Sequence, residues 1–307
     1  MFRLGTYPTP IEPAGNLWIK RDDQIAPAYG GNKVRKLERL LDDARRRDAK
    51  RLVTIGAAGS HQIVATAIYG AAQRFEVEAV VVAQPASDHA KKNLRVALAH
   101  GLRPIVATSW AAAPSLVTSL VRRDAYLIPL GGSNALGTLG FVDAAKELAA
   151  QIEAGAMPEP DVIVVPLGSG GTAAGLAIGL EAAGLRARVA GVAISSPLRL
   201  VEELARRMVR KTAPLAGVDA RRALERLVFD RRWLGRGYGY STRDAERAIA
   251  EAARHGLTLD ATYTAKAYAA ALERANEGAR VLYWHTLSSA PLDDAAPLPA
   301  DLERLFR

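Results

Sequence analysis

An apolar, β-branched run, Asp161-Val-Ile-Val-Val-Pro-Leu167, leads directly into Gly168-Ser169-Gly170-Gly171-Thr172-Ala173-Ala174-Gly175 and then into a further apolar stretch. The first run has the composition of a buried strand, and the last reads as a helix. A strand that feeds a helix through glycines commits this part of the chain to an α/β fold. It also forms an anion cradle, because backbone N–H groups and the positive helix end converge where side chains are missing. Gly168, Gly170 and Ala173 satisfy the dinucleotide pattern G-x-G-x-x-A. That reading needs an acidic residue about 20 positions on, at the end of the next strand. The next apolar run, Arg188–Ile194, ends instead in Ser195-Ser196-Pro197. A single phosphate therefore fits better than NAD. A P-loop fails too, since Gly132-Ser-Asn-Ala-Leu-Gly137 is followed by Thr138 and not by Lys and Ser/Thr.

A second glycine site lies upstream, in Tyr29-Gly30-Gly31-Asn32-Lys33-Val34-Arg35-Lys36-Leu37-Glu38. Its pattern predicts a helix from Asn32 to about Asp48. Lys33 then stands at a helix N-terminus, whose positive end does not favour a cation. A lysine that is partly desolvated there has a lowered pKa and becomes a nucleophilic amine, as Schiff-base lysines require. On spacing alone, a surface lysine after a glycine turn is the plainer reading. An amine nucleophile and a monophosphate cradle in one chain suggest pyridoxal phosphate.

The chain resembles the fold-type II pyridoxal-phosphate enzymes of the 1-aminocyclopropane-1-carboxylate deaminase and D-cysteine desulfhydrase family. The resemblance rests on Tyr7-Pro-Thr-Pro-Ile-Glu-Pro13, Leu17-Trp-Ile-Lys-Arg-Asp-Asp23, the Gly30–Glu38 motif and Gly131-Gly132-Ser133-Asn134-Ala135-Leu136-Gly137. It continues through the 168–172 loop to Asp260-Ala-Thr-Tyr263-Thr264-Ala-Lys266, in order along nearly the whole chain.

Composition agrees. The 307 residues suggest two domains, and a 49% hydrophobic content supplies a substantial core. The absence of cysteine excludes disulfides and thiolate metal sites. No His/Asp/Glu cluster has metal-ligand spacing, so no metal is expected. The first residues lack the apolar stretch of a signal peptide, and no run approaches the roughly 18 residues of a membrane span. A cytoplasmic enzyme, with neither membrane nor nucleic acid as partner, is the expectation. The formal charge of +9 does not contradict it. Basic residues alternate with acids, as in Leu41-Asp-Asp-Ala-Arg-Arg-Arg-Asp48, and no basic–aromatic ladder appears.

Short β-branched runs at 51–55, 79–83, 104–107 and 126–129, and again at 161–167, 188–194 and 281–286, alternate with Ala-rich stretches of helical spacing. This predicts an α/β architecture of open, twisted, mostly parallel sheets covered by helices. The resemblance divides the chain into a larger cofactor domain, 1–36 with 146–307, and a smaller one, 37–145. It places the cofactor in the cleft between them and suggests a homodimer.

The resemblance also assigns roles. Lys33 is the cofactor lysine, although Lys20, Lys36 and Lys266 are candidates on chemistry alone. Asn32 and the loop Gly168, Ser169, Gly170, Gly171 and Thr172 join the cofactor contacts. Gly56-Ala-Ala-Gly59-Ser60-His61-Gln62 reads from its residues as a helix start capped by Ser60. In the family this turn grips the substrate carboxylate through Ser60 and Gln62. The family usually has Asn where this chain has His61, a larger group that titrates near neutrality. Tyr263, a core tyrosine on residues alone, aligns with an acid–base tyrosine, and Tyr238 with a second pocket tyrosine. His89, His100 and His255 read as surface residues. Thr264 replaces the Glu with which cyclopropane deaminases protonate the pyridine nitrogen. Leu287-Ser288-Ser289 replaces the family's glycines after His285-Thr286 and implies a narrower substrate side. The expectation is a lyase that eliminates sulfide from D-cysteine, giving pyruvate and ammonia. Ring-opening deamination of 1-aminocyclopropane-1-carboxylate, cysteate desulfonation and a pyridoxal-phosphate-binding protein with impaired catalysis are the alternatives.

Overall fold

The computed structural model describes residues 3–292 and 297–307. The chain opens with β1 (Ile11–Ala14), β2 (Leu17–Lys20) and helix α1 (Lys33–Arg46). Strands and helices then alternate: β3 (Arg51–Ala57), α2 (His61–Ala72), β4 (Glu76–Val82), α3 (Asp88–Ala99), β5 (Leu102–Ala107), α4 (Ala113–Leu120) and β6 (Ala125–Ile128). Next come α5 (Ala135–Glu153), β7 (Val162–Leu167), α6 (Gly171–Ala182), β8 (Arg188–Ala193), α7 (Leu198–Thr212), α8 (Ala220–Glu225) and β9 (Leu227–Asp230). The series closes with α9 (Arg243–Ala253), α10 (Thr264–Asn276), β10 (Val281–Trp284) and α11 (Ala300–Glu303).

Two compact units result. The larger comprises Arg3–Lys36 and Ser133–Ala290. Its six strands lie in the order β1-β2-β10-β7-β8-β9, parallel throughout except for the β1–β2 pair. Alternation along β7 sends Ile163, Val165 and Leu167 into a core with α5, α6 and α7, while Val164 faces α9 and α10 on the other side. Helices cover both faces, which is why the strand reads as one continuous apolar run.

The smaller unit comprises Leu37–Gly132 and the described part of Pro291–Arg307. Its four strands, β5-β4-β3-β6, are all parallel. The C-terminal segment straps onto the loop after β4. Gln84 donates its N–H to the carbonyl of Leu305 and accepts from the N–H of Arg307. The Gln84 side chain in turn accepts the Gly59 N–H at 2.8 Å.

All seven expected strands are present. The hairpin β1–β2 and strand β9 come in addition.

Candidate active site

In the larger unit, Lys33 is the first residue of α1. The two glycines before it are required by backbone crowding. A Cβ on Gly30 would lie 1.9 Å from the Asp23 carbonyl oxygen, and one on Gly31 2.3 Å from that of Thr286. Gly31 also has φ +82°, a left-handed conformation that favours glycine. Its N–H donates to the Asp22 carbonyl at 2.7 Å. The serines that replace the family glycines hold this loop in place. Ser288 Oγ accepts the Gly30 N–H at 2.7 Å, and the Ser289 N–H and hydroxyl donate to the Asp23 carbonyl at 3.1 Å each.

Below the loop, Arg35 forks onto Asp22 with two bonds of 2.8 Å and reaches Glu147 at 2.9 Å. Lys20 pairs with the same Glu147 at 2.6 Å, and the Trp284 indole donates to Asp22 at 2.7 Å. Arg35, Lys20 and Asp22 are buried, so this ionic cluster fixes the first turn of α1.

The Lys33 amine donates to Asn32 Oδ1 at 2.8 Å, and Asn32 Nδ2 donates to Thr172 Oγ1 at 3.0 Å. The lysine is thereby linked to the glycine loop. Desolvation lowers the Lys33 pKa to about 8, against the opposing pull of the Asp260 carboxylate. One helical turn on, Lys36 donates to Ser133 Oγ at 3.0 Å, which lies 2.7 Å from Ser169 Oγ. Burial, and then the neighbouring Lys33, push the Lys36 amine well below its ordinary range.

Within the 168–172 segment, Gly170 is the N-cap of α6, with φ +86° and no side chain to cap the helix. A Cβ there would lie 2.7 Å from Ala205. An uncapped helix start, serine and threonine hydroxyls and a buried, charge-starved amine together fit a phosphate monoester. The nearby Lys33 amine, more easily deprotonated than an ordinary lysine, fits an aldehyde.

Further along the chain, the Asp260 carboxylate gathers the N–H groups of Thr262, Tyr263 and Thr264 at 2.7–3.2 Å and so starts α10. Thr264 Oγ1 donates to Asp260 Oδ2 and accepts the Asp260 N–H, both at 2.7 Å. Its hydrogen is thus committed within the turn. The Tyr263 hydroxyl donates to the Tyr238 hydroxyl at 2.7 Å, with the rings edge to face at 5.6 Å. Burial raises both phenols, Tyr238 to about 12 and Tyr263 further, so both carry their protons at neutral pH.

In the smaller unit, Ser60 caps α2 by accepting the Gln62 N–H at 3.2 Å. The Gln62 side chain is buried and donates inward to Thr66 at 2.9 Å. The outward-facing donors of this turn are therefore backbone and hydroxyl groups. His61 Nε2 lies 3.3 Å from His89 Nε2, with ring centroids 5.0 Å apart. Asn93 Nδ2 stands 3.5 Å from His61 Nδ1 and from His89 Nε2. His89, read from sequence as a plain surface residue, is exposed but orients the ring at 61. No group of three metal-ligating side chains occurs among the described residues.

Sequence reasoning quoted Asp260 only as part of a motif, gave Lys36 no role beyond competitor, and read Ser288 and Ser289 as pocket-narrowing. The spacing of Lys36 from Lys33, one helical turn, was the available signal for the role of Lys36.

A family model described as pyridoxal-phosphate dependent enzyme matches residues 2–286. The chain belongs to this family. It is 33% identical over 303 residues to the D-cysteine desulfhydrase of Salmonella paratyphi A, covering 91% of each chain. It is 32% identical over 289 residues to a putative 1-aminocyclopropane-1-carboxylate deaminase of Pyrococcus horikoshii, covering 90% of this chain and 85% of the relative. A crystal structure described as that of a 1-aminocyclopropane-1-carboxylate deaminase homologue superposes with a TM-score of 0.83 at 30% identity, over 94% of this chain and 91% of the other. A fungal L-serine ammonia-lyase from Rhizomucor miehei shares the fold, with a TM-score of 0.68 at 18% identity and 98% of each chain covered. The protein is thus a fold-type II pyridoxal-phosphate enzyme, and its two mostly parallel sheets match that fold. No helix among the described residues is long and apolar enough to cross a membrane.

Proposed function

We propose that the protein is a lyase that removes the β-substituent of a small amino acid, with D-cysteine as substrate and pyruvate, ammonia and sulfide as products. The observation that carries this reading is the hydroxyl of Thr264 at the start of α10, where a ring-opening deaminase needs a carboxylate. Pyridoxal phosphate, when bound, supplies the electron sink for the Cα carbanion.

The chain's own residues do the rest. Lys33 would hold the cofactor through its amine, and the same amine would move the substrate Cα proton. Its pKa of about 8 suits that exchange near neutrality. Lys36, Ser169, Thr172 and the first amides of α6 would hold the phosphate, and Asn32 ties lysine to loop. On the smaller unit, Ser60 and His61 are the groups for the substrate carboxylate, and on the larger unit Tyr238 is a second substrate tyrosine. Tyr263, protonated and bonded to Tyr238, serves as an acid. The same reading takes the enzyme as a cytoplasmic homodimer, on the strength of the resemblance. Deamination of 1-aminocyclopropane-1-carboxylate is the second reading, favoured by the similarity to the Pyrococcus protein.

Protein saturated with pyridoxal phosphate is mixed separately with D-cysteine, 1-aminocyclopropane-1-carboxylate and cysteate, and sulfide, 2-oxo acid, ammonia and sulfite are measured. Equal release of sulfide and pyruvate from D-cysteine, abolished in Lys33→Ala, is the expected result. Release of 2-oxobutanoate with no sulfide would transfer the assignment to the deaminase reading.

A further inference from the structure

Lys266 lies on α10 two residues beyond Thr264, and its side chain is fully buried. A buried ammonium is costly unless something compensates it. Here its Nζ donates to the carbonyl oxygen of Leu234 at 2.9 Å and to that of Gly237 at 3.0 Å. Those carbonyls bracket the start of a loop in which Gly235, Gly237 and Gly239 all have positive φ. The Gly237 N–H also bonds to the Leu234 carbonyl, at 3.2 Å, so that one oxygen serves both the turn and the lysine.

The loop carries Tyr238. The residue opposite, Tyr263, stands three positions before Lys266 at the start of the same helix. The Lys266 amine thus ties together the two segments whose tyrosines meet at 2.7 Å. Burial lowers its pKa to about 8 while the Asp260 carboxylate holds it up, so the amine stays mostly charged at neutral pH. Two backbone carbonyls converging on one desolvated positive centre is also how proteins hold a potassium or ammonium ion.

We propose that Lys266 is a tethered monovalent cation, a positioning residue that holds the Leu234 and Gly237 carbonyls and so sets Tyr238 against Tyr263 without any ion from solution. The role in activity rests on the reading that these two tyrosines face the substrate. The role in the loop does not.

The test uses pyridoxal-phosphate-saturated wild type, Lys266→Met and Tyr238→Phe in tetramethylammonium, potassium and ammonium chlorides at matched ionic strength. Unfolding temperature and the split between KM and kcat are recorded. The wild type is expected to be indifferent to the cation. Lys266→Met in tetramethylammonium is expected to melt about 5 °C lower, with the Gly237 carbonyl losing its lysine donor and the Leu234 carbonyl left with the Gly237 N–H alone, and to show a KM raised by about tenfold with a smaller change in kcat. Ammonium or potassium should recover both values along a saturating curve. A Lys266→Met protein that responds identically to all three cations, or a wild type that requires potassium, would overturn the proposal. If Lys266→Met does not accumulate folded, Lys266→Gln, which keeps an N–H donor but no charge, is put through the same series and judged by the same outcomes. An unchanged KM in Tyr238→Phe would remove the substrate-facing reading alone, because the cation dependence of unfolding would still report on the loop.

Discussion

At the scale of single residues, the site is set by how the protein treats its amines. Lys33 loses water and is pushed to about pH 8. Its neutral, nucleophilic form therefore grows as pH rises through that value. The rate at which cofactor-free protein captures pyridoxal phosphate, followed by visible absorbance, should rise about tenfold between roughly pH 7 and roughly pH 9 and then level off. The Asp260 carboxylate is the group that resists this lowering. Its replacement in Asp260→Asn removes the charge that favours protonated Lys33, so the midpoint of the capture profile should move to lower pH. A midpoint that stays in place would show that the field of Asp260 does not reach the amine. Glu147 shows the opposite balance. Burial works to raise its pKa, yet Arg35 and Lys20 hold it at about 2.

At the scale of elements, α1 begins where it does because ionic and backbone contacts from three directions meet at its first turn. Arg35 is buried, and deleting it leaves the buried Asp22 carboxylate without its paired cation, held by the Trp284 indole and the Thr9 hydroxyl. Arg35→Met should cost about 3–5 kcal/mol of stability in a denaturant titration, along with most cofactor capture. A variant within 1 kcal/mol or so of wild type would mean that the cluster is a dispensable ornament of the turn. This element also marks how far sequence could be read. Glycines 30, 31 and 170 were legible because only close backbone approach or a left-handed turn demands them. The parallel strands were legible because burial on two faces leaves unbroken β-branched runs. Strands β1 and β2, four residues each with Pro13 and Lys20 among them, carry no such run, and β9 ends in Asp230 amid arginines. Ser288 and Lys266 were illegible as supports for a different reason. Their partners are main-chain atoms distant in sequence, an N–H for Ser288 and carbonyls for Lys266, and a main-chain group leaves no mark on residue identity. The inward turn of Gln62 was hidden likewise, since a glutamine at a helix start reads the same whichever way it points.

At the scale of the whole molecule, the net charge of +9 gives an anionic cofactor a favourable approach. Capture of pyridoxal phosphate should slow as sodium chloride is raised from about 0.01 M to about 0.15 M, while capture of uncharged pyridoxal should change little. Equal salt effects on the two would assign the rate to the chemistry at Lys33 alone. The strap at Gln84 bears on a different matter, the order in which the protein is made. The turn that presents Ser60 is braced by Gln84, and Gln84 is braced by residues 305–307. A ribosome delivers those last contacts long after the strands around residue 60 have emerged. The nascent chain must therefore wait, with that turn only half secured, and a stalled or truncated translation product would keep its cofactor lysine yet present a loosened serine turn.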